Sequence, residues 1–240
     1  MDRLERYRTA WSRYCKSRGY GIHSPFAYNF VLNVINEQHP YYAYDDIENL
    51  YDNITEMVKQ EQLSSGVMSQ KNAKLVFRVV NHFNPSVILQ IGSSYGMSTI
   101  CALMPNSKSE IYLYEPDFDS RAVLQKAIEP YRNRIVIKES IVQAVADYDA
   151  AVIDNNQQHF VIVNDIPADT DYNQLQVAIY SIIDKQGVVL FRNIAKSELM
   201  LQLWNDSKEY AQSGMSFSNE RIAVFVANPK LPRQDFLLWL

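Results

Sequence analysis

The period of the apolar positions changes near residue 85. Before it, apolar residues recur every three to four positions, the spacing of one helix face. Leu4, Tyr7, Trp11, Tyr14 and Cys15 form such a stripe and predict an amphipathic first helix. Gly19-Tyr20-Gly21 breaks the pattern. Ser24 followed by Pro25 then supplies an N-cap with proline in the first turn, predicting a second helix that turns Phe26, Phe30, Val31, Val34 and Ile35 inward. A third helix over 45–63 carries Ile47, Leu50, Tyr51, Ile54 and Val58 on one face. After the polar break Ser64-Ser65-Gly66, a fourth begins at Ser69 and buries Ala73, Val76, Val80 and Phe83, and Asn84-Pro85 ends it.

Beyond that point short apolar runs alternate with helical patterns, as in a doubly wound α/β sheet. Strands are predicted at 87–91, 111–114 and 135–137. For the fourth strand there are two candidates, 150–154 and 160–164. The second leaves an ordinary length of chain for one loop and one crossover helix before Gly187, whereas Ile141, Val145, Tyr148 and Val152 step like a helix running into the first. The strand is therefore placed at 160–164, with helices expected over 172–184 and 197–211 around a strand at 188–191. The tail alternates strand and turn, over 215–218, 222–226 and, past Pro229 and Pro232, 236–240, and a hairpin of this kind closes one edge of the sheet antiparallel. The expectation is a doubly wound, seven-stranded mixed sheet over residues 84–240, with a helical extension or lid over 1–83 packed across the carboxyl ends of the strands.

Composition changes this picture little. The chain has 47% apolar and 21% charged residues, the balance of a globular protein. Its net charge of -4 argues against a general nucleic-acid binder, which needs a basic surface. No apolar run reaches membrane-spanning length, and the N-terminus lacks a signal peptide's apolar core. The 2 cysteines, Cys15 and Cys101, sit in unlike contexts, so a cytoplasmic protein without disulfides is expected. The 4 scattered histidines show no zinc spacing.

The candidate chemistry gathers behind the first strand. Only 7 of 240 residues are glycine, yet Gly92 and Gly96 fall four positions apart at the strand-to-helix turn. Glycine there permits positive φ and lets a ligand approach the backbone. Ser98 and Thr99 add hydroxyls at the first turn of the next helix, beside its free N–H groups. Glu115, at the end of the second strand, is placed like the acidic residue that accepts both ribose hydroxyls in dinucleotide folds. The order Gly-x-x-x-Gly departs from the G-x-G-x-x-G that cradles a pyrophosphate, which weighs against a nicotinamide enzyme.

The turn Gln90-Ile91-Gly92-Ser93-Ser94-Tyr95-Gly96-Met97-Ser98-Thr99, the acidic second strand end and the closing hairpin resemble the class I S-adenosylmethionine-dependent methyltransferases, especially the branch that methylates oxygen in small molecules. The resemblance covers about residues 69–226, and Ile22-His23-Ser24-Pro25-Phe26 is similar to a bacterial subgroup. It implies a Rossmann-like fold and a cofactor site of Gln90, Gly92, Ser93, Ser94, Gly96, Ser98, Glu115, Ser140 and Asn164. In that implied site Gly92, Ser93 and Gly96 pass the methionine part, Ser98 meets its carboxylate, Glu115 holds the ribose and Ser140 lies by the adenine. Two departures qualify it. Gln90 stands where the family usually has Glu for the cofactor's ammonium. Asn164, Arg192 and Asn193 stand where metal-dependent relatives have carboxylates.

Magnesium wants hard oxygens, one or two of them carboxylates, so no metal is expected. The resulting expectation is metal-independent methyl transfer to a small-molecule acceptor, with His23, Asp165 and Asn193 as candidate catalytic helpers. The alternative is a catalytically degenerate protein that keeps the fold for binding or interaction. The 16 tyrosines on amphipathic patterns suit core or homodimer contacts.

Overall fold

The structure, a computed structural model, describes residues 3–64, 66–152, 157–166 and 170–239. Its strands are β1 Val87–Ile91, β2 Glu110–Tyr114, β3 Ile135–Lys138, β4 Phe160–Val163, β5 Val188–Arg192, β6 Met215–Ser218, β7 Ile222–Val226 and β8 Gln234–Leu237. They form one sheet in the order β3-β2-β1-β4-β5-β7-β6-β8. The first five are mutually parallel, β7 runs antiparallel beside β5, and β6 returns antiparallel beside β7.

The sheet has eight strands against the expected seven, because the chain turns after Asn228 and lays β8 parallel to β6. Phe236 of β8 stacks on Phe217 with ring centroids 5.2 Å apart, which gives that edge strand an apolar anchor. The fourth strand lies at Phe160–Val163 as expected. Ala150 and Ala151 end a helix, and Asp154 of the other candidate lies outside the described residues.

The helices are α1 Arg3–Ser17, α2 Pro25–Phe30, α3 Tyr44–Gln60, α4 Gln70–Phe83, α5 Met97–Leu103, α6 Phe118–Ala127, α7 Ile141–Ala151, α8 Tyr172–Asp184 and α9 Glu198–Tyr210. Capping follows the local sequence. Ser24 accepts from the Ala27 N–H and Ser69 from the Asn72 N–H, each satisfying an N–H that the first helical turn leaves free. A π-helical stretch, Val31–Ile35, continues α2.

Strand alternation divides the core. Ile88, Ile162, Leu190, Phe217 and Val224 face one layer, into which α2, α3, α4, α5 and α6 pack. Leu89, Ile91, Val163, Phe191 and Phe225 face the other, covered by α7, α8 and α9. The early helices therefore lie against a face of the sheet, sharing its core, where a position across the strands' carboxyl ends was expected. Phe30 is the hub: its ring lies 4.9 Å from Phe217, 5.6 Å from Phe83 and 5.7 Å from Phe26.

The first helix departs from its expected orientation. Tyr7, Trp11 and Tyr14 point outward, at 64%, 68% and 41% exposure, while Ser17 holds α1 to the tail by accepting from the Trp239 N–H at 2.7 Å. A helical period locates a stripe, but which stripe is buried depends on the partner surface. Among the described residues no helix is long and apolar enough to cross a membrane.

One buried histidine gives the fold a pH dependence. His159, just before β4, has Nδ1 3.2 Å from the Tyr148 hydroxyl, and that hydroxyl also accepts from the Phe160 N–H at 3.1 Å. Burial, with nearby Lys185, pushes its pKa down. The unfolded chain then binds a proton more readily than the folded one. The associated stability is complete above the ordinary histidine range near 6.5 and declines as pH falls through it. Urea unfolding should lose at most about 1.4 kcal/mol per pH unit from this group, and His159→Gln should flatten the profile between about pH 7 and 5. Equal slopes in the two proteins would exclude the effect.

Candidate functional site

Strand register assembles the site. Ile91 of β1 is paired with Tyr114 of β2 on one side and Val163 of β4 on the other, and Val163 with Phe191 of β5. The next residue of each strand, Gly92, Glu115, Asn164 and Arg192, therefore falls in one row at the carboxyl edge. The chain's order across the sheet reverses between β1 and β4, and ligands of open α/β sheets bind at such a point. A cavity of about 660 Å³ opens there, within the usual range for small-molecule sites. It is lined by all four of these residues together with Ser93, Ser94 and Asp165.

The turn after β1 is bent tightly and held by hydrogen bonds. Gly92 and Gly96 have φ of 74° and 94°, and Ser94 and Tyr95 between them also take positive φ, 53° and 60°. Two successive left-handed residues that are not glycine are strained, and persist only where surroundings hold them. Here Ser94 Oγ donates to the Gly66 carbonyl and accepts from the Met68 N–H, while the Tyr95 hydroxyl donates to the Ser64 carbonyl. The connection between α3 and α4 is thus fastened beside the turn, and Ser64 and Gly66 form part of the cavity wall. A Cβ on Gly92 would meet Asn164 and Asp165 at 3.5 Å, an ordinary contact, so it is the positive φ of 74° and not a shortage of space that calls for glycine here.

Glu115 is 3% exposed and accepts four hydrogen bonds. Oε2 takes the Ser93 N–H and the Ser93 hydroxyl, both at 2.6 Å, and the Ser120 hydroxyl at 3.0 Å; Oε1 takes the Asp117 N–H at 3.2 Å. Such donors stabilise a buried carboxylate. Oε1 retains acceptor capacity for one further hydroxyl.

Two buried amides lie beneath the turn. Gln90 donates from Nε2 to the Gly92 carbonyl at 2.9 Å and to Thr99 at 3.0 Å; Asn164 donates from Nδ2 to the same carbonyl at 2.7 Å and to Ser98 at 3.0 Å. Among the described residues their oxygens, Gln90 Oε1 and Asn164 Oδ1, are buried without a hydrogen-bond partner. Unpaired buried acceptors are uncommon and costly; of the two, Asn164 lines the cavity, whereas Gln90 is fully buried and does not.

The β5 end of the cavity is cationic. Arg192 is 7% exposed, and Lys196 pairs with Asp165 at 2.6 Å. Asn193, at φ 59°, donates to the Asn164 carbonyl at 3.2 Å and joins the ends of β4 and β5.

Not every expected site residue reaches this cavity. Gly96 packs against Leu124 and Ala127 of α6, and Ser98 meets it only through Asn164. Ser140 caps α7 by accepting from the Gln143 N–H, at the far strand β3. His23 is exposed beside Ser24, whose hydroxyl contacts the Met215 sulfur. Met215 registers with Val226 and Val226 with Val188, the start of β5, so His23 lies at the opposite edge of the sheet. Three contributors were absent from the sequence expectation: Ser120, Lys196 and the Ser64–Gly66 connection. Asp117 ahead of α6 was a legible N-cap signal pointing to Ser120; Lys196 and the connection carried none.

Compared by sequence, the chain matches no family model and no curated protein. Its fold does match solved structures. An O-methyltransferase from Bacillus cereus in complex with S-adenosylhomocysteine aligns with a TM-score of 0.57 at 13% identity, over 80% of this chain and 94% of that one. A methyltransferase from Geobacter sulfurreducens gives 0.55 at 9% identity, over 80% and 92%. An S-adenosylhomocysteine-bound methyltransferase from Podospora anserina gives 0.52 at 12%, over 86% and 98%. The class this defines is one of fold: a Rossmann-like sheet shared with class I methyltransferases.

Proposed function

We propose that the protein is an S-adenosylmethionine-dependent methyltransferase that acts on a small molecule without a metal. The observation that carries this is the row Gly92, Glu115 and Asn164, facing one cavity at the switch point of a sheet that S-adenosylhomocysteine-bound enzymes share.

The residues fit the cofactor. Glu115 Oε1 has room for one ribose hydroxyl. The orphaned oxygen of Asn164, which lines the cavity, suits a donor such as the cofactor's ammonium. Gly92 allows the methionine part to approach the backbone. Bound there, the cofactor supplies a methyl group on a positively charged sulfur. The protein's task is then alignment of the acceptor, with a base where the acceptor is a hydroxyl. Asp165 is the carboxylate nearest that role, since Asn193 is taken up by the Asn164 carbonyl and His23 is at the other edge.

The donor set supports metal independence. Asn164 and Asn193 are neutral, Arg192 is cationic, and Asp165 is held by Lys196. A divalent ion about 4 Å from Arg192 would meet repulsion of about 8 kcal/mol at an effective dielectric near 20. Methyl transfer should therefore proceed unchanged in EDTA, and a rate abolished by EDTA and restored by magnesium would exclude this account.

A fold kept for binding or interaction is favoured by one observation. The Gly92 carbonyl already accepts two protein donors and Glu115 four, so the turn is complete by itself. Calorimetry with S-adenosylhomocysteine separates the readings: micromolar binding supports the enzyme, and no measurable binding at millimolar ligand rejects it. A homodimer and a chain that binds no nucleic acid complete the proposal, testable by sedimentation and by titration with RNA.

A further inference from the structure

The cavity has two electrostatic ends. At the β2 end Glu115 and Asp117 are anionic, but Glu115 is satisfied by Ser93, Ser120 and the Asp117 N–H, and Asp117 caps α6 through the Ser120 N–H. At the β5 end stand Arg192, Lys196 and Asp165, of which Lys196 and Asp165 pair with each other; Asp165 Oδ1 also accepts from the Ile166 N–H. That leaves Arg192. It is nine-tenths buried, lines the cavity, and no hydrogen bond or ion pair reaches its guanidinium among the described residues; its Nε is buried without a partner. Burial pulls its pKa down to about 10 while neighbouring Asp165 raises it, so the group stays charged at neutral pH. Burying a cation is unfavourable unless an anion with good hydrogen-bond geometry joins it. The planar guanidinium is the side chain best matched to an oxyanion, which it can grip through two parallel N–H groups.

We infer that the β5 end of the cavity is an oxyanion subsite, in which Arg192 receives a carboxylate or phosphate group of the methyl acceptor. As a statement about the acceptor, this rests on reading the cavity as a methyltransferase site. The subsite explains why the strand end is cationic where a metal site would be acidic. An anionic acceptor meets Arg192 directly, and the charge of Asp165 is kept from neutralising that arginine by Lys196. The asymmetry also orients the acceptor, with its charged group toward β5 and its remainder toward the centre of the cavity, next to Asn164.

The test uses benzoate and phenyl phosphate as anionic probes and benzamide as the neutral control. Each is titrated calorimetrically into the full chain, with and without saturating S-adenosylhomocysteine. The wild type should bind at least one anion tenfold or more tighter than benzamide, and whichever anion binds tighter identifies the acceptor's group. Arg192→Gln should reduce the preference to about twofold or less, with S-adenosylhomocysteine affinity staying within about threefold. Asp165→Asn, which keeps the bond from the Ile166 N–H, should tighten anion binding several-fold, an effect that damage to the fold would not produce.

Equal binding of anions and benzamide by the wild type would overturn the subsite. So would loss of S-adenosylhomocysteine affinity in Arg192→Gln as large as the loss for the anion, because Arg192 would then serve the cofactor's own carboxylate. Anion preference in a protein that fails to bind S-adenosylhomocysteine would support the subsite and remove the methyltransferase reading. The two failures are thereby distinguishable.

Discussion

Replacing Phe30 with alanine is expected to lower the unfolding free energy by about 3–5 kcal/mol, the usual result of emptying a well-packed aromatic site. The ring is 1% exposed and touches Phe26, His82, Phe83 and Phe217. Those contacts come from α2, α4 and β6, so the cavity would open where the early helices meet the sheet. Urea unfolding followed by tryptophan fluorescence and by far-ultraviolet circular dichroism should show one transition, shifted to lower urea, in both signals. Of the 3 tryptophans, Trp11 on α1 and Trp239 in the tail are exposed, and Trp204 on α9 is buried in the layer on the other face of the sheet. A loss below about 1 kcal/mol, or two separate transitions, would mean that the early helices do not share the sheet's cooperative core.

Glu115→Gln is expected to act on both folding and binding. With its oxygen on the side of Ser93 and Ser120, the glutamine keeps three donors satisfied, but its NH₂ then meets the Asp117 N–H, donor against donor. Bonds that a carboxylate made also weaken when the charge is removed. The Asp117 N–H is only part-buried, so losing its acceptor, together with the weakening of the three bonds that remain, is expected to lower the unfolding free energy by about 1–3 kcal/mol. The ribose hydroxyl assigned to Oε1 would lose its acceptor too. S-adenosylhomocysteine binding, measured at a temperature where the variant's circular dichroism is native, should weaken about tenfold to 150-fold, the equivalent of about 1.5–3 kcal/mol. Unchanged stability would contradict the hydrogen-bond network. Unchanged affinity in a wild type that binds would show that Glu115 only braces the turn.

That dual role could not be read from the chain alone. Glu115 at a strand end reads as a ligand-facing carboxylate, and the structure places it at the cavity while it accepts from Ser93 in the Gly92–Gly96 turn and from Asp117 and Ser120 at the start of α6. The same holds for Gln90. The resemblance marks Gln90 as standing where a carboxylate is usual, but its bonds to the Gly92 carbonyl and Thr99 are tertiary.

What the sequence by itself determined is local. Strand and helix periods, the caps at Ser24 and Ser69, the glycine turn and the loop-length argument for β4 at Phe160–Val163 depend on neighbours a few residues apart. Sheet register then carries local knowledge a step further, because parallel strands in fixed register bring their ends to a common edge, as Gly92, Glu115, Asn164 and Arg192 show.

Three features were decided only in three dimensions. The stripe Tyr7, Trp11 and Tyr14 has the correct period for burial, yet the surface offered by β8 accepts the opposite side of α1. The tail strand, legible in the sequence, takes its place as an eighth strand parallel to β6, with Phe236 stacked on Phe217. Among the described residues Arg192 makes no hydrogen bond or ion pair, Asp165 pairing with Lys196 instead. Each depends on which of several competing surfaces or charges is nearest after folding, a distance that no spacing along the chain encodes.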